Sequence, residues 1–318
     1  MTQTKSGSDL PCLHKRVIKL MGNRFEISIV SEKTDWAEEC FDFAIGEIRR
    51  IEQLLTTFND NSQTNRINEN AGLQPVKVDR EVYNLIARAL KISALTQGSF
   101  DITYGSIDKT LWNFDLSMTS LPDPVLAARA VRLINYKNVL LDQAACTVYL
   151  KRKGMRIGFG GIGKGYAADM AKKLLISQGV QSGIVNAAGD LITWGTQPNG
   201  NPWTIAIADP DQTRIPFSTL NISNAAIATS GNYEKFVIID GKKYSHTIDP
   251  VTGLPVSGIK SVTIICPSAE LADAMATPVM VMGVKVGLNL INQLQSIACI
   301  IIDDNNKTHF SRNINLKR

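Results

Sequence analysis

The sequence predicts an α+β fold in which mixed, largely antiparallel sheets pack against helices. Helical periodicity concentrates in one half of the chain and short strand-like runs in the other, without the regular βαβ alternation of a doubly wound sheet. An Asp240-Gly241 pair between two apolar runs is a two-residue hairpin signal. No internal repeat, low-complexity segment or Pro/Gly linker divides the chain, so residues 1–14 read as a disordered tail and residues 15–318 as one domain.

The elements follow in order. Residues 16–30 alternate apolar and polar side chains around Gly22 and predict two short strands or one bent one. Over 34–55 apolar residues fall at 41, 44, 45, 48, 51 and 55, the spacing of an amphipathic helix, with Thr34 as its N-cap. An Asn- and Ser-rich loop over 57–72 follows. Asp79 caps a second helix that stops near Gly98, and Asp123-Pro124 opens a third, with proline at its first position. A hairpin is expected over 139–150, a strand over 155–159, a glycine-rich turn, and a helix over 164–178. Strands are expected at 184–187, 203–208, 220–222, 236–239, 243–247, 262–266 and 297–302, interrupted by helices at 269–282 and 284–294.

Composition excludes several classes. At 318 residues and 44% hydrophobic, the chain can bury a substantial core. Its 34 basic and 29 acidic residues spread along the whole length, so no basic block argues for nucleic acid. Five cysteines, at 12, 40, 146, 266 and 299, are odd in number and without metal-binding spacing, so they read as reduced residues. Residues 1–13 carry neither a signal-peptide pattern nor a lipid-anchor pattern ahead of Cys12, and no apolar run approaches the ~20 residues of a membrane span. The chain as written reads as cytoplasmic.

Gly158, Gly160 and Gly163 match the dinucleotide pattern G-x-G-x-x-G. The loop lies mid-chain without βαβ neighbours, however, and the next acidic residue after a strand, Asp190, comes later than the ~20 positions that pattern requires. What survives is local: glycines let backbone approach a diphosphate, helix N–H groups favour anions, and Lys164 adds a point charge. Tight strand-helix packing is the plainer explanation of the same glycines. Asp273 and Thr277 stand four apart, which on a helix stacks two oxygen donors on one face, and hard cations take oxygen donors. Alone, they read sooner as a solvated aspartate and a threonine bonding its own helix. His246 lies in a polar Ser-His-Thr-Ile-Asp-Pro turn, where a structural role closing the turn is the alternative to proton transfer. Asp101 could simply cap a turn, and Trp112 and Phe114 are more often packing groups than platforms for stacking a ligand.

Five separated motifs together resemble the FAD:protein FMN transferase family, the ApbE-like flavin transferases. They are Met21-Gly22; residues 98–104 (GSFDITY) with Leu111-Trp112 and Phe114 beyond; residues 158–169 (GFGGIGKGYAAD); residues 229–255; and residues 272–277 (ADAMAT). The resemblance implies an ApbE-like, T-fold-like single domain. It places FAD contacts at Met21, Phe58, Ser99, Phe100, Asp101, Lys164 and Ile248, and magnesium at the Asp273 carboxylate, the Thr277 hydroxyl and the Gly161 carbonyl. It makes His246 the proton-transfer residue, for which an imidazole of unperturbed pKa near ~6.5 is suited at neutral pH.

The implied reaction moves the FMN half of FAD, its substrate, onto a threonine or serine of an acceptor flavoprotein and releases AMP. In the family the acceptors include subunits of membrane redox pumps, and many relatives are exported. Two departures stand out: Gly158 occupies a position where relatives commonly carry an acidic residue, and Ala276 one where some carry a second carboxylate. The rivals are an FAD pyrophosphatase, a flavin-binding protein without turnover, and a nicotinamide dehydrogenase built on the glycine loop.

Overall fold

The computed structural model describes residues 10–108, 111–112, 118–208, 216–232 and 236–314. In chain order the elements are β1 (Cys12–Leu20), β2 (Asn23–Ser31), α1 (Thr34–Leu55), α2 (Gln63–Glu69), β3 (Val76–Lys77), α3 (Arg80–Leu95), α4 (Pro124–Ala130), β4 (Val139–Asp142), β5 (Thr147–Leu150) and α5 (Gly163–Ser177). There follow β6 (Gly183–Ala187), β7 (Asp190–Trp194), β8 (Trp203–Ala208), β9 (Pro216–Ile222), β10 (Ala226–Gly231), β11 (Phe236–Ile239), β12 (Lys242–Ser245), β13 (Ile259–Cys266), α6 (Ala269–Ile291), β14 (Ala298–Asp303) and β15 (Thr308–Phe310).

Eight strands form the central sheet in the order β1-β2-β6-β7-β10-β13-β14-β15, and every ladder among the described residues is antiparallel. Alternation along the strands sorts the side chains onto two faces. Ile192, Ala228 and Ile301 join the main core with Phe25 and Ile27 of β2, Phe41 and Ile48 of α1, and Met275 and Val279 of α6. Their sequence neighbours Leu191, Ile227 and Ile300 point the other way and are covered by Ile207 and Leu220 of the β8–β9 hairpin. A third cluster gathers Trp112, Val131, Val237, Ile239 and Ile248, so Trp112 is a packing group. Phe114 lies outside the described residues.

Several expectations need correction. The tail expected over residues 1–14 ends sooner: Cys12, Leu13 and His14 already pair with Ser31, Val30 and Ile29 in the β1–β2 ladder. Thr34 is the first helical residue and not the N-cap; Lys33 holds that position, and its N–H donates to Ser31 Oγ at 2.9 Å. The 57–72 loop contains α2, which Ser62 caps by accepting from Asn65 N, while Ile67 is buried beneath it. Residues 155–159 are extended but join no sheet. Their backbone groups pair instead with the Asn68 side chain, with Ser106 Oγ and with the Ile102 carbonyl, which satisfies polar groups that burial would otherwise strand.

The two helices expected around residue 283 run on from one another as a single kinked element, α6, broken by non-helical angles at Gly283 (φ 77°, ψ 169°). By length and composition α6 is apolar enough to cross a membrane, contrary to the expectation that no apolar run approaches such a length. Here it is a core helix: Ala272, Ala274, Met275, Val279 and Met280 are all buried against the sheet. Four of the five cysteines are buried and all are free.

Candidate active site

The glycine-rich turn leads into α5, and α5 crosses the start of α6 at unusually close range. A Cβ on Gly165 would lie 2.1 Å from the Ala269 carbonyl oxygen and 2.8 Å from Glu270 N, so only glycine permits this approach. One turn later Asp169 locks the crossing. Its carboxylate accepts from Ala269 N (2.9 Å), Glu270 N (3.0 Å) and Ser268 Oγ (2.8 Å), satisfying the orphan donors that begin α6.

That crossing delivers Asp273, on the second turn of α6, to the N-terminus of α5. Gly165 N donates to Asp273 Oδ2 at 3.0 Å, and Lys164 Nζ lies 3.4 Å from both carboxylate oxygens. The helix N–H groups expected to favour a bound anion therefore already hold one, Asp273 itself. The close packing of the two helices leaves Asp273 buried, 6% exposed.

Sequence reasoning weighed Asp190 only against the dinucleotide pattern and did not join it to Lys164. It follows the β6–β7 turn, where Ala188 and Gly189 adopt positive φ (57° and 99°), and its Oδ2 lies 2.9 Å from Lys164 Nζ. The available signal was an aspartate directly after a tight turn and before the mostly apolar run Leu191–Trp194. Two buried carboxylates thus share one ammonium. Burial opposes the charge on Lys164, but Asp273 and Asp190 outweigh it and its pKa is raised. Burial raises Asp273 against the pull of Lys164 and Gly165 N. Asp190 is pushed up to about 6, by burial and by the nearby Asp273 charge.

Two other expected site residues, Met21 and Phe100, lie against the same turn. A Cβ on Gly163 would sit 3.7 Å from Met21 Cε, and one on Gly161 3.6 Å from Phe100 Cε2. Thr277 follows Asp273 by one turn on α6 and is half-buried. Phe58 stands on the neighbouring loop 98% exposed. Ser99 is half-buried in the turn after α3, with its N–H on the Thr96 carbonyl.

Asp101 is different, because its carboxylate faces into the protein. It accepts from Thr103 N (2.8 Å), Thr103 Oγ1 (2.6 Å) and Tyr136 N (2.8 Å), capping the short 3-10 turn Ile102–Ser106. Any ligand contact of this segment falls to its backbone. His246, half-buried, follows β12 in a turn closed by the Ile248–Pro255 bridge. The turn is tied to the Asp101 segment where Ile248 N donates to Tyr104 Oη at 3.4 Å, and Trp112 Nε1 donates to the Ser245 carbonyl at 3.3 Å.

A cavity of about 580 Å³ lies behind this segment, lined by Gly98, Asp101, Arg132, Tyr136, Pro250 and Val251 among others. None of Lys164, Asp190 or Asp273 lines it. We place the site at the lysine cluster, where buried charges converge on a helix terminus, and not in that cavity. Among the described residues no three His, Cys, Asp or Glu side chains gather as a metal cluster. The donors available here are of mixed type: carboxylate, hydroxyl and backbone carbonyl.

Residues 21–301 match the profile of the ApbE family. This chain belongs to the ApbE family. It is 31% identical over 288 residues to an FAD:protein FMN transferase of Klebsiella pneumoniae, covering 90% of this chain and 88% of that one. It is 30% identical over 282 residues to one of Treponema pallidum, covering 84% and 78%. Among solved structures, the ApbE protein of Thermotoga maritima superposes with a TM-score of 0.84 at 30% identity, covering 94% of this chain and 97% of that one. The apo flavinyl transferase ApbE of Pseudomonas stutzeri gives 0.83 at 26% identity, covering 95% of both chains. The α+β fold expected from the sequence is that of these ApbE structures.

Proposed function

We propose that this ApbE-family chain is an enzyme that transfers FMN from FAD to a protein. In the finer reading the acceptor is a threonine or serine hydroxyl, AMP leaves, and a divalent cation assists. The observation that carries the proposal is the Lys164–Asp273 pair at the first turn of α5, with Met21 and Phe100 around the same turn.

The reaction joins the acceptor oxygen to the phosphorus of the FMN half and breaks the bond from that phosphorus to the bridging oxygen, which departs with AMP. His246 takes the hydroxyl proton as the new bond forms. Lys164 supplies positive charge to the phosphate oxygens, where negative charge grows in the transition state. Phe58, exposed on its loop, offers an aromatic face for a ring of the dinucleotide, and the turn at Ser99 and Phe100 offers backbone groups to it. The Ile248 side chain is buried in the cluster with Trp112, so a contact with the same substrate there falls to the backbone of the His246 turn.

The site's residues fit a divalent cation. Two buried carboxylates facing a single ammonium leave an excess of negative charge, and burial together with the Asp273 charge pushes Asp190 upward. The Asp273 carboxylate, the Thr277 hydroxyl and the Gly161 carbonyl would hold magnesium, all oxygen donors of the kind that ion takes. When bound it supplies charge neutralisation at the diphosphate.

Incubation with FAD, magnesium and a threonine-containing segment of an acceptor flavoprotein tests the proposal. Transfer makes that segment fluorescent and heavier by a covalent FMN, with one AMP released per label. FMN and AMP appearing without labelled acceptor would identify a hydrolase instead, and FAD bound but unchanged would identify a carrier.

A further inference from the structure

Lys164 is held from two sides, and the two sides belong to different parts of the fold. Asp273 rides on α6, whereas Asp190 begins β7 in the central sheet, fixed by the Asn186–Gly189 turn bond (2.8 Å) and by the N–H of Thr229 in β10. The ammonium lies closer to Asp190 (2.9 Å) than to either oxygen of Asp273 (3.4 Å).

If Asp273 holds a divalent cation, as the proposed function requires, the ammonium and the cation compete for one carboxylate and repel one another across it. Lys164 must then let go of Asp273 without leaving the site. Asp273 Oδ2 can keep its bond from Gly165 N, because a carboxylate has about four lone-pair sites, but the lysine needs another anion. From this geometry we propose that Asp190 is a positioning residue: it retains Lys164 at the head of α5 when the Asp273 carboxylate turns to metal. In the metal-free protein Lys164 stands in as the counter-ion of Asp273, and Asp190 sets how readily it yields that place.

The inference rests on the metal reading above, and a double-mutant cycle on Mn²⁺ affinity without FAD separates the two. Mn²⁺ binding to the full chain is measured by electron paramagnetic resonance for wild type, Lys164→Met, Asp190→Asn and the double variant. Lys164→Met removes the competing ammonium and tightens Mn²⁺ binding. Asp190→Asn commits Lys164 to Asp273 and weakens binding by about tenfold, the lower range for loss of an outer-shell partner. In the Lys164→Met background the same change costs much less.

Equal losses in the two backgrounds would mean that Asp190 acts on the ion directly, and would overturn the proposal. So would weaker Mn²⁺ binding by Lys164→Met than by wild type. Should Asp190→Asn fail to fold, Asp190→Ser runs the same cycle. FMN transfer by the wild-type preparation distinguishes the failures: transfer together with equal losses removes the positioning role alone, whereas neither Mn²⁺ binding nor transfer removes the metal reading and the positioning role with it.

Discussion

Replacing Gly165 with alanine tests the geometry on which the site depends. By intrinsic helix propensity alone the change should stabilise α5, since alanine is favoured over glycine by up to about 1 kcal/mol in a helix interior. The structure predicts the opposite sign. The new Cβ would meet the Ala269 carbonyl oxygen at 2.1 Å, its carbon at 2.5 Å and Glu270 N at 2.8 Å, all backbone atoms that no rotamer change can move. For the 2.1 Å approach to open to the 3.4 Å of ordinary contact, the start of α6 must retreat. That retreat breaks the Asp169 bonds to Ala269 and Glu270 and the Gly165–Asp273 bond. Overpacking costs roughly 1–3 kcal/mol and lost capping bonds roughly 1–2 more, for a net loss of about 1–4 kcal/mol after the propensity gain. Urea unfolding followed by circular dichroism reads this as a lower midpoint at unchanged slope. Gly158→Ala is the control: no atom lies within 4 Å of its Cβ, so it should stay within about 0.5 kcal/mol of wild type. A Gly165→Ala protein as stable as wild type would refute the close crossing and, with it, the delivery of Asp273 to α5.

Three further outcomes follow from the same account. His246→Ala should lower FMN transfer by roughly 100- to 10,000-fold, the range for a lost general base, with FAD affinity retained by flavin fluorescence titration. Phe58→Ala should leave the melting temperature unchanged, because the ring is 98% exposed, yet weaken FAD binding by up to about tenfold, as expected for a lost aromatic contact. Glu81 is held below the ordinary glutamate range by its bond to Arg50, with help from Tyr166 and against the cost of burial. Its contribution to stability is therefore complete above the ordinary glutamate pKa and is lost as pH falls through its lowered folded value. Glu81→Gln should flatten that part of the acid-unfolding curve, and an unchanged curve would contradict the assignment.

Much of this was legible in the sequence where local physics decides the outcome. The apolar spacing of α1 and α3, the Asp123-Pro124 start of α4, and the Asp240-Gly241 turn, whose residues adopt φ 49° and 73°, follow from periodicity and turn chemistry alone. What escaped was set by distant parts of the chain. The strand β7 is buried at all five residues and β10 is short-chained and buried at its start, so neither alternates and neither announced itself. Helix α2 hides among asparagines because Asn65 spends its side chain on the Thr57 and Asn59 carbonyls of the preceding loop.

The site divides the same way. Asp273 and Thr277 are visible as an i, i+4 pair, and Lys164 as a cation at a helix start. Asp190 meets them only because β7 lies beside β10 in the sheet and α5 crosses above, a relation that no spacing in the chain encodes. Asp101 shows the reverse, since a motif residue expected at the ligand spends its carboxylate on Thr103 and Tyr136.

The most direct measurement is a crystal structure of the protein soaked with FAD and Mn²⁺, with the ion located by its anomalous signal. The account predicts the ion on Asp273, Thr277 and the Gly161 carbonyl, the diphosphate against Lys164, and the His246 imidazole facing the phosphorus of the FMN half. An ion found elsewhere, or a dinucleotide lying in the cavity behind Asp101 with Lys164 still bridging its two carboxylates, would contradict it.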